Sequence, residues 1–188
     1  MELIRSSFEK KLGEMDWTNS AALRRQRGLC PEQKSLLFLL SNNLLASNDK
    51  LHRFGKAASP LCHSCLQVDS FTHLFSCQST KKLTDPLKEL LLSIQGVPVS
   101  ASKLVALDLA IPTPLRLPAM FVLAEVLQIL LDVRKSHIRL DMTAAIAMIR
   151  AKSTVFLELR HFKFAHTIVN LWVASFFDIY PAPSSSQV

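Results

Sequence analysis

Three cysteines and one histidine crowd into sixteen residues: Cys62, Cys65, His73 and Cys77, in the pattern Cys-x2-Cys-x7-His-x3-Cys. These are soft and borderline ligands, the types zinc selects. A Cys-x2-Cys pair on a tight turn aims two sulfurs at one point. A His four residues before a Cys puts both on one face of a helix, one turn apart. Turn and helix then close a tetrahedron. Three thiolates and an imidazole fill all four positions, so the expected ion is one structural Zn2+ with no place for water or substrate. Structural sites in small zinc modules contribute apparent binding energies of about 10 kcal/mol or more at neutral pH. His63 is the rival ligand, but inside the turn its ring points more naturally to solvent. The competing reading is a set of buried free thiols, common in intracellular cores.

The elements that must position these ligands are read outward from them. Asp69 or Ser70 is placed to cap the helix carrying His73. Leu66, Leu74 and Phe75 are expected to pack round the ion and keep water off the thiolates. Upstream, Leu3, Ile4, Phe8, Leu12 and Met15 share a helical period. Ser20 can cap a second short helix through Leu23 to Arg27, ended by Gly28. Cys30-Pro31-Glu32 opens the next helix with Pro at its first position, and Leu36 to Leu40, apolar on every side, predicts its burial. Ser47 caps a short helix from Asn48 to Phe54, which Gly55 closes.

Downstream, Pro86 starts a helix with Leu87, Leu90, Leu91 and Ile94 on one face, terminated by Gly96-Val97-Pro98. Ser100 or Ser102 caps a brief piece to Leu109. Pro112-x-Pro114 is the best candidate domain boundary. Pro118 then opens a long apolar helix to about Val133 that ends in Arg134, Lys135 and His137. Asp141 is a good N-cap for a helical stretch reaching about Phe177, either one helix or two meeting near Arg160-His161. His161 and His166 do not share a face, which argues against a second metal site.

Only four Gly in 188 residues, with aliphatic residues dominant and no sustained strand alternation, predict an all-α fold. The expected architecture is a small Cys3His zinc knuckle followed by a helical bundle. Its expected parts are short N-terminal helices (1–28), a zinc-binding domain (29–80), a helical tail (81–180) and a disordered end (181–188). The hydrophobic fraction of 49% and mean hydropathy of +0.23 suggest an apolar face covered by a partner. The longest apolar runs, Leu117 to Leu131 and Thr167 to Tyr180, contain Glu125 or Asn170 and fall short of the roughly 18 uninterrupted apolar residues of a membrane span. No membrane partner is expected. Cysteine usage and the lack of a basic-then-apolar leader point to an intracellular protein of nucleus or cytoplasm, not a secreted one. A Gly-rich phosphate loop, a Gly-x-Ser-x-Gly elbow and a cluster of acids for two-metal chemistry are all missing, so neither enzymatic activity nor a small-molecule substrate is expected.

A net charge of +7 suggests an anionic partner, with RNA or DNA first. Candidate phosphate contacts are Arg24, Arg25 and Arg27 in one cluster, Lys50, Arg53 and Lys56 before the knuckle, and Lys81 and Lys82 after it. Ordinary solvated faces are the alternative. Near the knuckle the aromatic residues are Phe54, Phe71 and Phe75, so little base stacking and weak sequence preference are expected.

From about Leu23 to Cys77 the chain resembles the zinc-binding domain that follows the polymerase domain in non-LTR retrotransposon reverse transcriptases. The likeness rests on an ordered series. A Leu-rich helix (Leu36 to Leu45) is followed by Leu51-His52-Arg53-Phe54-Gly55, then Cys62-His63-Ser64-Cys65, then His73-Leu74-Phe75 and Cys77. The later helices resemble the helical tail of such polyproteins, with Phe121 to Lys135 in the place of a recurring apolar helix that ends in basic residues. The polymerase motifs, including the paired aspartates of that active site, are absent. The resemblance therefore implies a truncated copy or co-opted remnant; in the intact family the domain is implied to help hold template RNA or target DNA during target-primed reverse transcription. Two other functions stay open: an interaction domain whose apolar helices (118–177) bury against a protein partner, and an element fragment without a function.

Overall fold

A computed structural model describes residues 15–136 and 141–159. The amphipathic stretch expected from Leu3 to Leu12, the junction near Arg160-His161, the helix beyond it and the 181–188 tail lie outside the described residues. Within them the chain is helical, with one isolated antiparallel bridge between Leu61 and Val68 and no longer strand.

Helix α1 (Trp17–Arg24) starts earlier than Ser20 because Asp16 caps it, accepting from Thr18 N at 2.8 Å and Asn19 N at 3.3 Å. A carboxylate satisfies these donors and also complements the positive end of the helix. Ser20 is consequently interior and buried. Helix α2 (Pro31–Ser41) begins at the expected proline, and Gln33 Oε1 reaches back to accept from Cys30 N at 3.1 Å. Leu37 and Leu40 are buried, but Phe38 is 54% exposed, so the apolar run is not covered on every side.

Helix α3 (Asn48–Arg53) and a short 3-10 turn (His73–Phe75) flank the knuckle. Helix α4 (Lys81–Gln95) starts five residues before Pro86. Pro86 offers no N–H to the carbonyl four residues back, and burial of its ring in the core offsets that loss. Gly96 ends the helix in the left-handed region, as expected. Helix α5 (Ala101–Ala106) is capped by Ser100, whose Oγ accepts from Lys103 N at 3.2 Å.

Helix α6 (Thr113–Ser136) contains both Pro114 and Pro118. Pro114 lies in the first turn, where N–H groups have no intrahelical partner to lose. Pro112-x-Pro114 is thus the entrance to α6, and one buried cluster continues on both sides of it, from Leu23 to Ile149. Helix α7 (Met142–Leu159) is capped by Asp141, whose Oδ1 accepts from Ala144 N at 3.1 Å.

Helix α6 packs against α2, α4 and α7, and α1 and α5 pack against α2. Ala119, Met120, Leu123, Ala124, Val126 and Leu127 are wholly excluded from solvent. This helix is long and apolar enough to cross a membrane, but 78% of that stretch is buried within the protein. The registers of its neighbours follow from specific contacts. Gln33 Nε2 donates to Glu125 Oε1 at 2.9 Å and Arg134 Nη1 donates to Ala46 O at 3.2 Å, so α2 runs parallel to α6. Phe121 stacks on Phe156 with ring centres 4.1 Å apart, and Glu125 pairs with Lys152 at 2.7 Å, so α7 runs antiparallel. Glu125 is buried in an apolar helix, and these two partners supply what water would otherwise give its carboxylate.

Gly28 closes the approach of the α1–α2 segment to α6. Its φ is +100°, and a Cβ there would meet Leu117 Cδ2 at 2.8 Å. Gly28→Ala should therefore destabilise the protein by about 1–2 kcal/mol through backbone strain, read as a lower urea midpoint at unchanged slope.

Candidate metal centre

The first pair of ligands sits on a tight knuckle. Leu61 and Val68 pair across it, Cys62 N donates to Gln67 O at 2.7 Å, and Leu66 N donates to Cys62 O at 2.9 Å. To turn both sulfurs inward, the chain passes through left-handed backbone at Leu66, with φ +59°. That turn throws the Leu66 side chain outward, 72% exposed, so it does not shield the site as expected. Leu74 and Phe75 are buried, as expected.

The second pair comes from a tighter turn than the α-helix expected. His73–Phe75 is a single 3-10 turn, yet Cys77 N donates to His73 O at 2.8 Å. This one α-type bond keeps His73 and Cys77 a turn apart on the same side. Ser70 Oγ accepts from His73 N at 3.3 Å, as a cap should.

Knuckle and turn bring Cys62, Cys65, His73 and Cys77 together. Their four ligand atoms all lie within 4.8 Å of one another, a group able to hold a metal ion. Cys62 Sγ is 3.8 Å and Cys65 Sγ 3.7 Å from Cys77 Sγ, far beyond the roughly 2.05 Å of a disulfide. Cys65 Sγ lies 3.2 Å from His73 Nε2. His73 and Cys77 are buried, and Cys62 and Cys65 half-buried. His63 is exposed and outside the group.

The electrostatics pull Cys65, Cys77 and His73 in different directions, and Cys65 holds its proton more tightly than an ordinary thiol. Burial pushes the Cys65 thiol up to about 11, and the neighbouring Cys77 and Cys62 sulfurs add to the effect. Burial acts the same way on Cys77, but hydrogen bonds from Ser79, whose Oγ lies 3.0 Å from the sulfur, together with those from the Cys65 and Cys62 thiols outweigh it and hold Cys77 below the ordinary thiol value. Burial also lowers His73. The Asp69 carboxylate opposes that shift and the Arg134 guanidinium adds to it. The net effect holds His73 below its ordinary value, which favours the neutral ring with a lone pair available.

Asp69 does not cap the His73 turn. It is 1% exposed, and its Oδ2 accepts from Asn48 N at 3.0 Å, at the start of α3. Its Oδ1 is paired with Arg134 Nη2 from the end of α6. The Ser47 hydroxyl, expected to cap α3, makes no cap bond. Asp69 and Arg134 each carry a local signal in the sequence, as a cap and as a helix-end cation. Nothing local signals that they meet across 65 positions. A cleft of about 710 Å³ opens beside the metal group toward the end of α6, with His63, Ser64, Gln78, Ser79 and Lys82 on its wall.

The basic residues are divided along α6. Arg25 and Arg27 are exposed, Arg24 is half-buried with Nε donating to Ser20 O at 3.3 Å, and the three lie beside Gly28 at the Leu117 end. The metal group lies at the Arg134 end, about 25 Å further along the helix at 1.5 Å per residue. There Arg53, Lys56, Lys81 and Lys82 are exposed. Arg53 pairs with Asp49 at 2.7 Å and Lys81 with Asp85 at 3.9 Å. Lys50 turns inward instead: its ammonium donates to Asn43 O and, at 3.1 Å, to Leu45 O. No protein-family model, curated protein or solved structure matches the chain.

Removing Arg134 leaves Asp69 buried without its countercharge. Arg134→Ala should cost about 3 kcal/mol in denaturant unfolding. Metal loading must displace the thiol protons, so affinity should fall as pH falls, approaching tenfold per unit for each proton displaced. Because the shift at His73 is downward, thiol protons should dominate this loss near neutrality. Competition with a chromophoric chelator at about pH 8 and about pH 6 checks the sign.

Proposed function

We propose that the chain is a zinc-stabilised nucleic-acid-binding module, a Cys3His knuckle leading into a helical bundle, with no polymerase activity of its own. The observation that carries the metal half is the spacing of the ligand atoms. A tetrahedral ion with Zn–S bonds of about 2.3 Å requires sulfurs about 3.8 Å apart, and Cys77 Sγ lies 3.8 Å from Cys62 Sγ and 3.7 Å from Cys65 Sγ. Three thiolates and an imidazole favour zinc over the hard cations, and four protein ligands make the ion structural. Cys62, Cys65, His73 and Cys77 would hold it, and binding would fasten the knuckle to the His73 turn.

The nucleic-acid half is supported by the net charge of +7 and by the cations round the knuckle. Arg53, Lys56, Lys81 and Lys82 are the phosphate contacts proposed there, with Arg25 and Arg27 as a second, separate point of contact. This assignment agrees with a remnant of a retrotransposon reverse transcriptase, the family whose zinc-binding domain the knuckle resembles. A second reading, a protein partner on the apolar helices, is favoured by Met148 and Val155, which are 43% and 54% exposed on α7.

One preparation tests both halves. The purified chain should carry one zinc, and a strong chelator or Cys65→Ser should reduce helical circular dichroism. The zinc-loaded chain should bind RNA or DNA with a log–log salt slope of about −0.7 to −0.9 per phosphate neutralised. A zinc-free chain with full helicity would overturn the metal assignment. Self-association without salt-sensitive binding would favour the protein-partner reading.

A further inference from the structure

From Lys50 to Val68 the chain contains no acidic residue, although Lys50, Arg53 and Lys56 lie in it with His52 and His63. The same segment holds four of the large hydrophobic side chains that remain exposed: Phe54 at 76%, Leu61 at 37%, Leu66 at 72% and Val68 at 55%. Exposed apolar groups interleaved with cations, of which Arg53 also pairs with the Asp49 carboxylate of α3, suit a ligand that is both anionic and flat-faced.

The backbone fixes where the aromatic ring stands. Helix α3 ends in a Schellman turn: Gly55 N donates to His52 O at 2.9 Å and Lys56 N to Leu51 O at 2.7 Å, with Gly55 at φ +66°. In sequence Phe54 follows Arg53, which is exposed and paired with Asp49, and precedes the exposed Lys56 by two residues. At the other end of α3, Asn48 Nδ2 donates to Leu61 O at 2.8 Å and Asp69 accepts from Asn48 N, so the helix is tied to the knuckle. The other two aromatic rings of the region serve the interior. Phe75 is fully buried, and Phe71 packs against the core.

We infer that Phe54 is a base-stacking platform, and that the segment from Arg53 to Val68 binds single-stranded nucleic acid. The inference rests on the nucleic-acid reading above and adds to it the form of the ligand. Bases in a duplex stack on each other and present only their edges, whereas an unpaired base offers a face to Phe54 while its flanking phosphates meet Arg53 and Lys56. Every base has such a face, so the preference is for strandedness and not for sequence.

The test uses the full zinc-loaded chain and fluorescence anisotropy with labelled mixed-sequence oligonucleotides, single-stranded and duplex, of equal phosphate count. The single strand should bind more tightly. Phe54→Ala should weaken single-strand binding roughly 5- to 150-fold, with the salt slope, duplex binding, zinc content and helicity unchanged. Phe54→Leu should show a similar loss and Phe54→Trp should restore binding with quenched indole emission. Equal binding by Phe54→Ala, full binding by Phe54→Leu, or a preference for duplex would overturn the stacking assignment while salt-sensitive binding preserved the wider reading. A wild-type chain that bound neither oligonucleotide would overturn both.

Discussion

The buried carboxylate of Asp69 joins three parts of the chain at one point, the knuckle segment, the start of α3 and the end of α6. It lies between the Cys-x2-Cys knuckle and His73, receives the first N–H of α3, and meets the guanidinium at the end of α6. A carboxylate at 1% exposure is tolerable only when its oxygens are satisfied, and here both have partners. Three elements must therefore occupy set positions at once. The backbone repeats the constraint, with Asp69 N donating to Pro60 O at 2.9 Å and Asp69 O accepting from Asp49 N at 3.3 Å. The cysteines and histidine on either side of Asp69 that could hold a metal inherit that placement.

Helix α6 supplies the frame against which this junction is held. Its length separates two basic regions, and its buried face makes the core continuous from α1 to α7. Glu125 plays at mid-helix the part Asp69 plays near the end. Its carboxylate takes Gln33 from one side and Lys152 from the other, setting the axial positions of α2 and α7. Apolar packing along a smooth helix face would tolerate sliding by a turn, whereas two buried carboxylates with fixed partners do not.

The proposed division of labour follows from this frame. On the proposed reading an ion would fasten a loop segment that has little secondary structure of its own and leave the surface of that segment to a ligand. Its hydrophobic side chains face outward because the knuckle is too small to bury them while turning its sulfurs inward. Exposed Leu66 is a consequence of that turn, and exposed Phe54 of the Schellman end of α3.

The ligand set was legible because its signal is local: residue types and spacings within one short stretch set which atoms can converge. The same holds for the caps of Asp141 and Ser100, for Pro31 at the start of α2 and for Gly96 at the end of α4. Reading failed where two local signals competed or where the partner was remote. Asp16 displaced Ser20 as a cap, Pro86 and Pro118 fell inside helices whose buried faces outweighed a missing N–H, and the His73 turn closed as 3-10. The cations were visible as a list, but their separation along α6 and the inward turn of Lys50 were not. The pairing of Asp69 with Arg134 and the role of Glu125 both depend on residues distant in sequence. Spacing along a chain carries no information about such contacts until packing brings their elements together.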